Sequence, residues 1–380
     1  MDIMLIECDG THYEMGYQQG LILKDVIKNS IDEFLNFETI KKIKPFYIDS
    51  NFVLATAGVI AYNFLMTKMK DFDPEAYNRI KGISNGSGLD INIFLFVQFL
   101  ESLISSPFMT VSGCTTAILD KTRTRSRSNL IIKNYDLFTI LSSTTCVRKS
   151  NPTNRLTSME LIIAPLTGNH IGFNEAGLAI SYNYGMVKSH FKKNLAPTMM
   201  CQYILENFSR TKQAIEFIQD MGTSNGAIFA IIDETGEAAF VEALGKKTGV
   251  RKLNNGLEAT ANMFLHPEMF HYNYKDTDRY DKNISPEPYH GMPINETSHT
   301  RYKRIKELLE KKSVHHHFSI HALKSILKDH DGEKTGNDNT ICRHHEIIST
   351  LASIIVNVNK LEMKVAFGYP CKAKYITYRL

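Results

Sequence analysis

The chain changes its hydrophobic period near residue 112, and that change limits what it can fold into. Before it, "LILKDVIKNSIDEFL" (21–35) repeats apolar residues at helical spacing, with acids and lysines on the opposite face. "DPEAYNRIKGI" carries an Asp-Pro helix start, and "SNGSGLD" (84–90) closes that helix in a glycine turn. A further apolar helix is expected over 91–104. After the change, "CTTAIL", "NLIIKNYD", "ELIIA", "GLAISYN", "AIFAIID" and "AAFVEA" are short, rich in β-branched and aromatic residues, and bounded by turn residues. "DETG" (233–236) joins two of them as a hairpin, and "STLASIIVNV" with "LEMKVAFG" reads as another. Helices at about 199–220 and 301–312 interrupt the runs. Strands in runs broken by helices predict an α+β protein, with antiparallel sheet layers and helices packed outside. The stretch 267–300, rich in Pro, His, Asn and Tyr, is expected to be a long surface connection.

Composition narrows the function classes. With 380 residues, 43% hydrophobic and 22% charged, the chain has enough apolar material for a large core. A net charge of +4 does not call for nucleic acid, and the basic run "KTRTRSRS" (121–128) reads as a solvated hairpin loop. No stretch reaches the roughly 18 apolar residues of a membrane span. The N-terminus lacks a basic segment followed by an apolar one, so a cytoplasmic protein is expected. The six cysteines are scattered without a CxxC, which predicts reduced thiols, no metal site and no cofactor. "HHH" (315–317) does not change that expectation. Three adjacent histidines on a helix point in different directions and cannot hold one ion together.

One thiol stands apart. "VSGCTTAIL" places Gly113 directly before Cys114 at the start of a strand. With the loop centred near Arg125, strands 114–120 and 129–136 pair so that Cys114 faces Asp136, with Lys133 and Asn134 at the same strand end. A thiol beside a carboxylate and a cation is a reactive arrangement. Gly113 permits a strained backbone and a close approach to its own carbonyl. Attack by Cys114 on that carbonyl would convert the amide to a thioester, and water would release a chain beginning at Cys114. Its α-amine would then serve as base for its own thiol. The plain alternative is a packed cysteine, because a Gly-Cys pair alone is a weak signal.

Further segments fall in a recognisable order: "YEMGYQQG" (13–20), "IKGISNGSGLD", "GCTTAIL…IIKNYDL", "GFNEAGLAISYN", "TANMF", "SHTRYKRI" and "VAFGYPCKAKYITYRL". This set resembles the N-terminal-nucleophile (Ntn) hydrolases of the acyl-coenzyme A:6-aminopenicillanate acyltransferase type, peptidase family C45. More distantly it is similar to choloylglycine hydrolases and penicillin V acylase. The resemblance implies a four-layer αββα sandwich preceded by a mostly helical segment. Residues 1–113 would become a separate chain on cleavage at Gly113–Cys114, and 114–380 would form the catalytic region. The two chains would stay associated. The implied chemistry is hydrolysis of a small-molecule acyl amide through a thioester, or transfer of the acyl group, with an acyl-CoA or an amine as second substrate.

Residue by residue, the resemblance implies Cys114 as nucleophile and Asp136 as the group that orients the freed α-amine. Lys133 takes the place of the usual Arg, Asn262 donates to the oxyanion, Asn183 is a second donor, and Arg301 stabilises the site. Without that resemblance, Asp136 reads as a turn residue, and Asn183 and Asn262 read as loop caps. His266 and His299 read as satisfied or exposed histidines. Two departures stand out. Lys133 lacks the planar fork of Arg, and Met263 replaces a His beside Asn262. They keep a second reading open, a non-catalytic Ntn-fold binding or scaffold protein.

Overall fold

A computed structural model describes residues 4–36, 56, 58–59, 61–63, 73–103, 113–188, 194–283, 285–311 and 317–380. Among the described residues, fourteen strands form two sheets. The larger sheet contains β1 (Leu5–Gly10), β4 (Thr145–Pro152), β5 (Ser158–Ile163), β6 (Ile171–Asn174), β7 (Leu178–Tyr184), β8 (Thr223–Asp233), β9 (Ala238–Gly245) and β10 (Lys247–Lys252), in that spatial order. The smaller runs β11 (Leu257–Thr260), β2 (Gly113–Leu119), β3 (Leu130–Phe138), β12 (Ile348–Asn357), β13 (Glu362–Phe367), β14 (Ile376–Arg379). All neighbours are antiparallel except β1, which lies parallel to β4.

The strand period of two sorts the apolar side chains into three cores. Ile118, Ile131 and Ile354 of the smaller sheet meet Val147, Leu161, Phe173 and Ile228 of the larger one. On the far face of the smaller sheet, Ala117, Leu119, Ile132 and Ile355 pack on α7 (Glu296–Lys311) and α8 (Ile320–Leu327) through Ile305, Leu309, Leu323 and Ile326. On the far face of the larger sheet, Ile162, Ile180 and Phe229 pack on helices. Those helices are α1 (His12–Ile22), α2 (Lys24–Asn36), α3 (Pro74–Ser87), α4 (Ile91–Leu103), α5 (Pro197–Asn207) and α6 (Thr211–Met221). The layers are therefore helix, sheet, sheet, helix. The expected αββα arrangement is present.

α1 and α3 touch backbone to backbone. A Cβ at Gly16 would lie 2.2 Å from Arg79 O, at Gly20 2.3 Å from Ile83 O, at Gly82 2.2 Å from Tyr13 O, and at Gly86 2.2 Å from Tyr17 O. Of the glycines in "SNGSGLD", Gly86 lies inside the helix. Gly88 is the left-handed C-cap, at φ 73°.

Three expectations shift. The segment 267–300 is not simply a surface connection, because Tyr274, Tyr280, Tyr289 and Ile294 are buried in the helix-side core and α7 already begins at Glu296. The first hundred residues, expected to be mostly helical, are so where described but also contribute one strand, β1, to an edge of the larger sheet. The β2–β3 hairpin also pairs one residue away from the expected register, with Gly113 opposite Asp136 and Cys114 opposite Tyr135. Ten residues, 120–129, form its loop, pinned by Asn129 Oδ1 accepting from Lys121 N (2.8 Å) and Thr124 Oγ1 accepting from Ser128 N (2.9 Å). The basic side chains Lys121, Arg125 and Arg127 in that loop are exposed, as expected. His317 is exposed ahead of the Ser319 N-cap of α8, and His315 and His316 lie outside the described residues. Among the described residues, no helix is long and apolar enough to cross a membrane.

Candidate active site

The one-residue change in register matters because it moves side chains between faces. Cys114, Thr116, Lys133 and Tyr135 share the face turned to the larger sheet, while Gly113, Thr115, Asn134 and Asp136 share the other. The Cys114 thiol, buried between the sheets, meets Lys133 Nζ and the backbone N–H of Asp136. Burial pushes this thiol up from its ordinary value. Lys133, the Asp136 N–H and Arg301 pull the other way, and the Asp136 carboxylate adds to the rise.

Lys133 is caged by acceptors from β7 and the β5–β6 connection. Its Nζ donates to Tyr182 O, to Ser181 Oγ (3.2 Å), to Asn183 Oδ1 (3.2 Å) and to His170 O (3.3 Å). Burial lowers its pKa, and the neighbouring Cys114 opposes that shift. Asn183 also accepts from Thr116 Oγ1 (2.7 Å) and donates to Ala261 O (2.9 Å). It ties the Lys133 cage to the segment that carries Asn262.

Asn262 turns its carbonyl, not its amide NH2, toward the backbone nitrogen of Cys114. Its Oδ1 accepts from Cys114 N (2.9 Å) and from Arg301 Nη2 (2.9 Å), and its Nδ2 donates to Tyr184 O (2.9 Å). Two donors on one atom settle which way the amide points. Arg301, fully buried in α7, also donates from Nη1 to Cys114 O (2.7 Å) and to Thr115 Oγ1 (3.0 Å). Arg301 is the sixth residue of α7 rather than its start, and these acceptors hold its guanidinium in the buried second turn.

Asp136 lies beside Gly113 rather than beside the thiol. Its Oδ1 accepts from Thr350 Oγ1 (2.8 Å), and Arg301 Nη1 is 3.9 Å from Oδ2. Burial raises its pKa, against the pull of Arg301 and Arg343. Gly113 has no positive φ. The close approach is what requires a glycine: a Cβ there would lie 2.4 Å from Arg343 Nη1, 3.1 Å from Asp136 Oδ2 and 3.3 Å from Arg301 Nη2.

Cys114, Lys133, Asp136, Asn262 and Arg301 thus converge on Gly113 and Cys114, and Asn183 joins them through Lys133 and Thr116. The structure adds groups that the sequence reading missed. Arg343, buried and paired with Asp338 (Nε to Oδ1, 2.8 Å), covers Gly113. A cavity of about 50 Å³ opens beside Cys114, lined by Glu101, Tyr135, His170, Tyr182 and Tyr184. Glu101 accepts from Thr198 N (3.0 Å) and Thr198 Oγ1, and burial pushes its carboxyl up to about 7. His170, held by Tyr135 OH (3.1 Å), is pushed down to about 3 by burial and by Lys133. His266 and His299 lie elsewhere: His266 backs onto Gly249, and His299 is 3.9 Å from Asp276 near the surface.

Residues 122–372 match the model of a family described as acyl-coenzyme A:6-aminopenicillanic acid acyl-transferase. The match takes in Lys133, Asp136, Asn183, Asn262 and Arg301 and begins after Cys114. The acyl-coenzyme A:6-aminopenicillanic-acid-acyltransferase 40 kDa form of Emericella nidulans is 26% identical over 245 residues, 62% of each chain. Protein dcd1A of Dictyostelium discoideum is 27% identical over 131 residues, 31% of this chain and 29% of that one. The chain thus spans less than two thirds of the length of either relative. A conjugated bile acid hydrolase from Clostridium perfringens aligns with TM-score 0.42 and 15% identity, over 70% of this chain and 97% of the other.

Proposed function

Because the chain belongs to the acyl-coenzyme A:6-aminopenicillanic acid acyl-transferase family, we propose that it is a self-processing cysteine amidohydrolase of the Ntn type, with Cys114 as its nucleophile. The observation that carries this reading is the grip on Cys114 itself. Its nitrogen is held by Asn262 Oδ1, its carbonyl by Arg301, and its thiol by Lys133, with a glycine carbonyl directly upstream.

Processing begins when the thiol loses its proton to water, and the Lys133 ammonium, held by its cage of acceptors, stabilises the thiolate. The thiolate adds to the Gly113 carbonyl carbon, and the C–N bond breaks as the Cys114 nitrogen takes up a proton. The result is a thioester, and water cleaves it to a Gly113 carboxylate and a free thiol. The new α-amine remains at Asn262 Oδ1.

Turnover then uses that amine as base for its own thiol. The thiolate adds to the acyl carbonyl of a small amide. Tyr184 O takes one hydrogen of Asn262 Nδ2, and the other donates to the oxyanion. Such a donor contributes about 2.7–4 kcal/mol. The α-ammonium returns its proton to the departing amine, and water or a second amine resolves the thioester. Hydrolysis is the favoured outcome because water is always present. A cavity of about 50 Å³ accommodates the reacting carbonyl end of a substrate.

Intact mass tests the reading. The purified chain is expected as fragments of 113 and 267 residues, and Cys114→Ala as one piece. A thiol-directed acyl probe is expected to label Cys114 and to lose that label in Asn262→Ala. A wild-type chain that stays whole on long incubation overturns processing and favours a binding role for the same fold.

A further inference from the structure

Away from Cys114, four side chains that suit a soft metal ion converge at the end of the smaller sheet. His330 follows α8, Cys342 and His344 lie in the loop leading to β12, and Cys371 sits in the turn between β13 and β14. Each offers one ligand atom, and all four atoms lie within 4.8 Å of one another. Cys342 Sγ is 3.3 Å from His344 Nε2, and Cys371 Sγ is 3.4 Å from the same nitrogen. Around a tetrahedral zinc ion, ordinary Zn–S and Zn–N lengths put neighbouring ligand atoms about 3.3–3.8 Å apart. The spacing is already close to that of a coordination shell.

Two independent features point to a ligand. Among the described residues, the buried His330 Nε2 has no hydrogen-bond partner, although its ring packs edge-on against His344 at 5.0 Å. An imidazole nitrogen left without a partner is costly, and a metal ion would satisfy it. The surrounding backbone is also fixed without using these side chains: Cys342 N donates to Asp329 O (3.1 Å) and His344 N to Asn337 O (3.2 Å), while the His344 ring is steadied by stacking on Tyr369 at 3.9 Å. Two thiolates and two imidazoles select zinc over magnesium or calcium, and a closed four-ligand set is structural rather than catalytic.

We propose that His330, Cys342, His344 and Cys371 form a structural zinc site that staples the loop before β12 to the β13–β14 turn. Arg343 stands between two of the ligands, so the ion also fixes the backbone from which Arg343 reaches Gly113. Only that consequence rests on the processing reading; the zinc site does not.

The test uses the full chain without a polyhistidine tag, produced in zinc-supplemented medium and purified with a phosphine reductant and no chelator. Elemental analysis is expected to find about one zinc per chain, with Cys371→Ser and His330→Ala each falling below about a tenth. Native mass spectrometry of the wild type provides a check that needs no variant. The folded protein is expected to be heavier than the denatured one by one zinc less two protons. Wild-type protein with almost no zinc overturns the proposal. So does zinc retained in Cys371→Ser, or a denatured mass showing Cys342 and Cys371 joined as a disulfide.

Discussion

At the scale of single residues, Gly113 is held to glycine by space. The Arg343 guanidinium that a Cβ would strike is tied at Nε and Nη2 to Asp338, so it cannot swing away cheaply. Overpacking of this kind costs about 1–3 kcal/mol. Gly113→Ala is therefore expected to slow self-processing about tenfold or more, followed as loss of the whole chain with time. Cleavage at the wild-type rate would show that the contact is not felt. Glu101 makes a separate case. Its folded value of about 7 stands above its ordinary 4.5, so between those values the unfolded chain has lost a proton that the folded chain keeps. Stability must then fall as pH rises from about 4.5 to 7 and level off above that. Glu101→Gln is expected to remove this slope from the melting temperature, and an unchanged slope would assign it to other groups. The sequence brought Cys114, Lys133 and Asp136 together because one hairpin holds them, although a loop of ten residues shifted their register by one. Glu101 and Arg343 were not legible, since only the stacking of layers brings such distant segments to Gly113. The zinc ligands were hidden for a related reason: no compact spacing marks His330, Cys342, His344 and Cys371.

At the scale of elements, the strands that could be read are those whose apolar runs are buried on both faces, such as β7 and β8. β4 was missed because "TCVRKSNP" reads as polar. Its Arg148 is nevertheless fully buried, paired with Glu160 at 3.0 Å and bonded to Gln19 and Gln202 at 2.7 Å each. A polar network satisfied inside the protein leaves no hydrophobic period to find. The glycines of α1 and α3 were visible, but their use was not. They let two helices approach to backbone contact, which is a property of the pair. An alanine at Gly82 would gain about 1 kcal/mol in helix propensity and would drive a methyl into Tyr13 O at 2.2 Å. Backbone cannot yield as a side-chain tip does, so the clash is expected to win. Gly82→Ala should be less stable than wild type by about 1–3 kcal/mol in urea unfolding. A more stable variant would mean that the two helices separate freely.

At the scale of the whole molecule, cleavage at Gly113–Cys114 would cut a fold whose first part is built into its second. β1 pairs residue for residue with β4, from Leu5 with Val147 to Gly10 with Pro152. Ile6, Met15, Leu23, Ile27, Ile80 and Phe94 belong to the same core as Ile162, Ile180 and Phe229. Buried polar contacts cross the cut as well: Gln19 Nε2 donates to Ala164 O and Leu166 O at 2.9 Å each, and Arg79 pairs with Glu206 at 2.9 Å. Burial alone would raise Glu206, but His12 and Arg79, both upstream of the cut, help hold it at about 2. Removing the partners of a buried charge costs about 3–5 kcal/mol. The processed protein is therefore expected to migrate as one species of about 43.2 kDa on a native column, separating into its two pieces only in denaturant. A chain begun at Cys114 should fail to fold by itself, because it would leave Glu206 underpaired, the β4 edge bare and the helix-side core open. Recovery of residues 114–380 as a folded protein without residues 1–113 would refute this and make the first segment a removable propeptide.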